Sequence, residues 1–498
     1  MDHYAPDSEI VIGLVTPVGI NYDDVKSRFE SLLGMYRYNT NWLHLSVLME
    51  SVSRGKKVRK SAEGDRLANA MTLGNNLRKE SGRDDVLALI AVNSILSRRV
   101  KDGDRSQPLN RTAHVIRSLK HPDEVETLRT TYGKGFVLLG ISAKQDTRIK
   151  YLLDHKGIET VEKAKELIER DDRENDSSTE YGEHGQSTRD VFQLSDFFLT
   201  IDTVEEFGEQ LQRILSILFA KPVAPPKIEE YSMFMAYAAS LRSADLSRQV
   251  GAVIVSPTGD IISTGANDVP KFGGGLYWPG DDDSRDYIHG KDSNEEEKKI
   301  IISKIMKEFG AYNDDESEEQ NYKEAKRRLK NTGILDITEY GRAVHAEMEA
   351  LLSAARTGTS VRGAKLYTTT FPCHNCAKHI VAAGIDEVVF IEPYPKSFAS
   401  KLHDDSIDFD GGNDQNSSHK VSFTQFAGVG PRKFLDLFSM RLGNGRKLTR
   451  KVSGKLASWS RENAELRIPL VPMSYLEMEF MLDSELQQII KIWENNNG

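Results

Sequence analysis

Cys373 and Cys376 are the only cysteines in 498 residues, and they stand three apart behind a proline: Pro372-Cys373-His374-Asn375-Cys376. One close pair cannot staple a chain of this size, so disulfides are not its source of stability. Pro372 suits the first position of a helix, where its missing N–H is not needed, and an i, i+3 spacing then sets both thiols on one face at the helix N-terminus. The partial positive charge there lowers a thiol's pKa and favours the thiolate that binds metals. Upstream, His345-Ala346-Glu347 opens the helical run HAEMEALLSAARTG, which Gly358 can close. Two thiolates and one imidazole form a borderline-soft N/S donor set whose natural occupant is zinc.

The segments around these residues order the chemistry. After the His345 run comes a strand, Leu366–Thr370, then the cysteine helix ending near Gly384, then a strand, Glu387–Glu392. Helix, strand, helix, strand is an α/β alternation that favours adjacent parallel strands. A structural zinc normally takes four protein ligands, whereas His345, Cys373 and Cys376 supply three and leave a position for water. Glu347, two residues beyond the histidine, is placed to move a proton from that water to a leaving group. A zinc finger would need a paired H-x₃₋₅-H after the cysteines, and His379, His403 and His419 are not so spaced. A redox C-x-x-C leaves the H-A-E element unexplained. His374 points off the shared cysteine face and His379 is expected to pack or be solvated, so neither is taken as a ligand.

The first half reads as a separate α/β domain, residues 1–220. Glu9–Gly19, EIVIGLVTPVG, is an apolar strand ending in a glycine turn, followed by a helical pattern through Leu33. Ala113–Leu119, Gly135–Ile141 and Phe197–Ile201 have the length of buried strands. The opening is P-loop-like but degenerate: Gly13 and Gly19 are six apart where a Walker A motif sets its glycines five apart, and Ile20-Asn21 stand where its Lys and Ser/Thr should be. ATP hydrolysis is therefore not expected. Asp171–Arg189 is almost purely polar and reads as a loop or lid. KPVAPPK, Lys221–Lys227, is a proline connector within a linker assigned to residues 221–230. The second domain is assigned to residues 231–498, opening with a helix at Tyr231–Leu241 and a hairpin of Ala252–Val255 and Ile261–Thr264. An insertion over residues 271–340 interrupts it; Asp281–Gln320 holds 14 acidic and 6 basic residues, and Ser293–Glu296 and Ser317–Gln320 both fit a helix capping box. The glycine-aromatic stretch Lys271–Trp278 and the basic clusters Arg54–Lys60 and Arg441–Lys455 are candidate contacts for a phosphate, a base or RNA.

Ser247-Arg248-Gln249-Val250-Gly251-Ala252, Ser263-Thr264-Gly265-Ala266-Asn267, H-A-E and P-C-x-x-C together resemble the deoxycytidylate deaminases of the cytidine deaminase superfamily, over roughly Tyr231 to Pro395. H-x-E with P-C-x-x-C is a signature of zinc nucleobase deaminases. The two-domain arrangement and Ala113–Ala143 resemble the bacterial anti-phage dCTP deaminases. The resemblance implies a cytidine-deaminase-like α/β/α sandwich in the second half, with zinc on His345, Cys373 and Cys376. It implies a hydrolase acting on the C–N bond of a cyclic amidine, converting dCTP and dCMP to deoxyuridine nucleotides and depleting dCTP in anti-phage defence. Glu347 would be the catalytic acid–base and Asn267 would touch the substrate sugar. A housekeeping dCMP deaminase supplying dUMP, and a zinc-stabilised RNA-binding module without chemistry, are the alternatives. A homo-oligomer and a regulatory nucleotide or RNA are the expected partners. The net charge of −9 gives no overall attraction for polyanions. With no basic leader and no long apolar run, the chain reads as cytoplasmic, without a membrane partner.

Overall fold

The computed structural model describes residues 7–52, 63–102, 107–172, 184–280, 282–329, 332–337, 339–392, 397–409, 419–441, 443 and 445–496. The chain divides into two compact units, residues 1–230 with 427–498, and residues 231–426. Among the described residues no helix is long and apolar enough to cross a membrane. The basic cluster Arg54–Lys60 and most of the polar run Asp171–Arg189 lie outside the described residues.

Unit 1 is built on five parallel strands, β1 (Ile10–Val15), β2 (Asn39–His44), β3 (Thr112–Arg117), β4 (Phe136–Ser142) and β5 (Phe197–Thr200). Their order is β5-β4-β1-β3-β2, and a short antiparallel strand, Gly428–Val429, extends the β5 edge. β1 is buried at every position, which is why it reads as an unbroken apolar run rather than an alternation. β2, NTNWLH, is mostly polar, with Asn41 and Leu43 as its buried positions, and was invisible among the apolar runs. Behind β1, Asn21 caps the helix Tyr22–Gly34 by accepting from Asp23 N at 3.2 Å, and Asp23 and Asp24 fill its first turn. A helix end so capped by its own acidic residues does not offer the open, amide-lined N-terminus that holds a phosphate.

The second domain does not run to residue 498. From Ala427 onward the chain belongs to unit 1, because its apolar residues have their partners there: Val429, Leu437, Ala464 and Leu466 share one buried cluster with Ile10, Leu14, Phe207 and Phe219. The terminal helix Pro472–Asn496 adds a charged anchor. Arg99 Nη2 donates to Glu479 at 2.9 Å and its Nη1 to Glu9, which also accepts from Tyr475 Oη at 2.6 Å, all four residues being buried. Breaking one partner of such a network leaves a buried charge uncompensated.

Unit 2 carries a mixed sheet of β6 (Gly251–Val255), β7 (Ile261–Ala266), β8 (Lys365–Thr370), β9 (Glu387–Glu392), β10 (Ile407–Asp408) and β11 (Val421–Gln425). The order is β10-β11-β9-β8-β6-β7. β6 pairs antiparallel with β7 and β8, while β8, β9, β11 and β10 run parallel. Two helices, Ala346–Thr357 and His374–Ala383, share a core with this sheet through Ala346, Ala350, Ile254, Leu366, Cys376, Ala377 and Ile380. The insertion forms its own small core, where Ile302 and Met306 of helix Ser293–Glu308 meet Tyr322 and Ala325 of helix Glu318–Leu329. Its first helix is capped by Asp292, which accepts from Glu295 N, rather than by Ser293. The second has the reciprocal Ser317 and Gln320 bonds of a capping box.

Helix Ala346–Thr357 lies on the hairpin with no room for a side chain at Gly265, where a Cβ would sit 2.1 Å from Ala346 O and 2.5 Å from Ala350 N. Both neighbours are helix backbone and cannot swing away. Gly265→Ala should therefore cost about 1–3 kcal/mol and displace the helix that begins at His345, read as a lower thermal midpoint together with loss of bound zinc. Unchanged stability and metal content would show that this contact does not set the site.

Candidate active site

The two helices of unit 2 both begin at residues singled out above. His345 is the N-cap of Ala346–Thr357, and Cys373 is the N-cap of His374–Ala383, its Sγ accepting from Cys376 N at 3.5 Å. Pro372 thus precedes the cap instead of opening the helix, but the consequence drawn from it stands, since both thiols sit at the helix N-terminus. Sheet order does the rest: β8 leads into Cys373, and β7 lies beneath the helix that follows His345.

His345 Nδ1 is 3.3 Å from Cys373 Sγ and 3.4 Å from Cys376 Sγ. Tetrahedral zinc, with Zn–S near 2.3 Å and Zn–N near 2.1 Å, holds such an N···S pair about 3.6 Å apart. The donor set and its spacing therefore fit zinc. Among the described residues this metal-ligating group has three members, His345, Cys373 and Cys376. The hydrogen bond from Cys376, aided by the His345 hydrogen bond and charge against the cost of burial, holds the Cys373 pKa down at about 3. It is a thiolate at neutral pH and a ready donor. The hydrogen bond to Cys373, opposed by burial, raises His345 to about 9.

Glu347 is 4% exposed, with Oε2 3.6 Å from Cys376 Sγ. Burial pushes its carboxyl pKa up, against the His345 charge, so it holds a proton more readily than a surface glutamate does. His345, Glu347 and Cys373 line a pocket of about 220 Å³ whose other walls include Asp245, Arg248, Asn267 and Asn294.

Asn267 is in that wall, but most of its amide is already committed. Oδ1 accepts from Val250 N at 2.6 Å and Nδ2 donates to Arg248 O at 2.8 Å. It fixes the turn 248–250 and retains one N–H and one lone pair for a ligand. Its neighbour Asp268 exchanges backbone hydrogen bonds with Val344, next to His345, and accepts from Arg285 Nη1 at 3.2 Å. The Asn267 wall and the metal ligand are thereby tied through adjacent residues. His374 and His379 stay apart from the chemistry: the His374 ring packs edge-on to Phe398, and His379 Nδ1 bonds Asn375 O of its own helix.

Sequence reasoning missed Asp245 and Asn294. Asp245 had a readable signal, since D-x-S-R is an Asx turn and Oδ1 accepts from Ser247 N and Arg248 N at 2.9 and 3.2 Å. Asn294 comes from the insertion, bonded to Ile337 O and Tyr340 N, and nothing local announced that it would reach the pocket.

Residues 226–392 match the family model described as the cytidine and deoxycytidylate deaminase zinc-binding region. The deoxycytidylate deaminase of Enterobacteria phage T4 is 48% identical over 54 residues, covering 11% of this chain and 28% of the phage protein. That of Homo sapiens is 28% identical over 206 residues, covering 41% of this chain and 79% of the human protein. The chain thus spans under a third of the length of the phage relative it matches. A solved dCMP deaminase from cyanophage S-TIM5, in complex with dCMP and dUMP, covers 40% of this chain and 98% of its own at 19% identity and a TM-score of 0.23, a superposition too loose to argue from. With the donor geometry, the zinc-binding match assigns the site to zinc. Cys373→Ala should bring bound zinc from one per chain to a small fraction after dialysis, measured by inductively coupled plasma mass spectrometry, whereas Glu347→Gln should keep it. Equal zinc in both variants would place the metal elsewhere.

Proposed function

We propose that unit 2 is a hydrolytic deaminase of deoxycytidine nucleotides, replacing the C4 amino group of cytosine by oxygen and releasing ammonia. One observation carries this reading: a buried glutamate stands beside a His/Cys/Cys group that could hold zinc, and Glu347, His345 and Cys373 line one pocket. The zinc-binding family match and the deoxycytidylate deaminase relatives support the substrate class.

His345, Cys373 and Cys376 would hold the zinc, which would supply Lewis-acid activation of water at neutral pH. Glu347 takes one proton from the attacking water and delivers it to ring N3, then takes the second proton of that water and delivers it to the departing amine, which leaves as ammonia. Its raised pKa suits a group that must carry each proton between transfers. Asn267 holds the 248–250 turn in shape and turns its remaining polar capacity to the sugar. Arg248, 43% exposed in its side chain at the pocket wall and bonded to Glu392 at 3.1 Å, is positioned to meet the phosphates.

The resemblance extends this reading to dCTP as well as dCMP, with dCTP depletion as the consequence in anti-phage defence; a housekeeping enzyme would act on dCMP alone. The reading without chemistry requires a fourth protein ligand closing the metal site, and among the described residues the ligand group has three members. With zinc-loaded protein, uracil formation from dCMP, dCTP, CTP and single-stranded DNA separates these cases. We expect turnover of dCMP and dCTP and none of DNA. Glu347→Gln should lower that turnover by about 10²–10⁴-fold with zinc retained; near-normal turnover would remove Glu347 from the mechanism.

A further inference from the structure

Unit 1 contains a cavity of about 150 Å³ outside the carboxyl ends of β1, β2 and β3, lined from the β1 loop by Thr16–Ile20 and Tyr22. In open parallel sheets this is the end at which ligands bind. Its wall has two chemically different parts. Leu45, Met49, Ala70, Met71 and Leu87 make an apolar part against which a flat ring can pack. The other part is cationic and centres on Arg117.

Two of the cations around this cavity are paired in place. Arg78 pairs with Glu124 at 2.7 Å and Lys120 with Asp171 at 2.9 Å. Burial, with the nearby Arg117 and Arg66 charges, holds His44 near a pKa of about 4, so it is neutral and bonds Ser46 at 2.7 Å. Arg117 is different. Its guanidinium lies 3.3 Å from the centroid of the Tyr22 ring and bonds the Tyr22 hydroxyl, its Nε is buried without a hydrogen-bond acceptor, and the carboxylate of Asp23 acts on it only from beyond ion-pair distance. A cation withdrawn from water without a carboxylate paired directly to it is costly, and a guanidinium fork fits a phosphate.

We propose that this cavity is a second ligand site, independent of the metal centre, for a nucleoside monophosphate with a single-ring base: the ring against Leu45, Met49 and Met71, the phosphate on Arg117. The phosphate would meet a side chain here rather than a helix end, since Asn21, Asp23 and Asp24 occupy the start of helix Tyr22–Gly34.

The test is amide hydrogen exchange of the full chain with uridine 5′-monophosphate, which has no amino group to lose. Slower exchange is expected across 16–20, 45–49 and 67–74. Arg117→Met should weaken binding at least tenfold, and Ala70→Phe, which fills the apolar part and keeps Arg117, should do the same; circular dichroism confirms that each variant is folded. Unchanged exchange in those segments would overturn the proposal, as would wild-type binding by either folded variant, or equal protection by inorganic phosphate or uridine alone. Protection confined to 245–250 and 341–347 would also overturn it while leaving the active-site reading of unit 2 intact.

Discussion

The metal site of unit 2 depends on a backbone-to-backbone contact that tolerates no side chain. Gly265 of β7 lies against the carbonyl of Ala346, the residue between His345 of the candidate metal group and the buried Glu347. With β7 pressed this closely to the first turn of the helix, His345 and Glu347 inherit their positions from the sheet. The same sheet delivers Cys373 and Cys376 at the end of β8, so the donors converge without any flexible loop having to find its place. The Asp268–Val344 hydrogen bonds lock the remaining degree of freedom, just before His345 and just after Asn267. Chemistry that needs groups held within a fraction of an ångström is best built on such rigid elements.

Electrostatics then follows from packing. The hydrogen bond from Cys376, with the His345 hydrogen bond and charge, favours a thiolate at Cys373, while burial desolvates Glu347 and raises its pKa. The ion network Glu9–Arg99–Glu479 uses burial for a different purpose in unit 1, fixing the terminal helix to the sheet. Charges there are satisfied by one another. Around the metal site they are left ready for a ligand.

The metal site was legible in the sequence because its residues are rare and their spacing is a direct statement of geometry: two cysteines three apart on a helix can only face the same way. Strands β1, β3, β4 and β5 were legible because a fully buried strand leaves a continuous apolar run. β2 was not, since Asn39, Asn41 and His44 break its run. The return of residues 427–498 to unit 1 was hidden for a related reason. It depends on which distant surface Val429, Leu437 and Leu466 cover, and local pattern does not encode a partner. Asn267 was found as a pocket residue, while its tie to Val250 and Arg248 emerged only with backbone positions in hand. Asn294 illustrates the general limit, because an insertion's reach into a pocket is a property of the folded chain.

The most direct test of the account is the fate of oxygen during turnover. Zinc-loaded protein incubated with dCMP in H₂¹⁸O should yield dUMP carrying one heavy oxygen in the base, with one ammonium released per product, both read by mass spectrometry and ammonia assay. Intact dCMP from folded, zinc-loaded protein, or dUMP without the heavy oxygen, would contradict it.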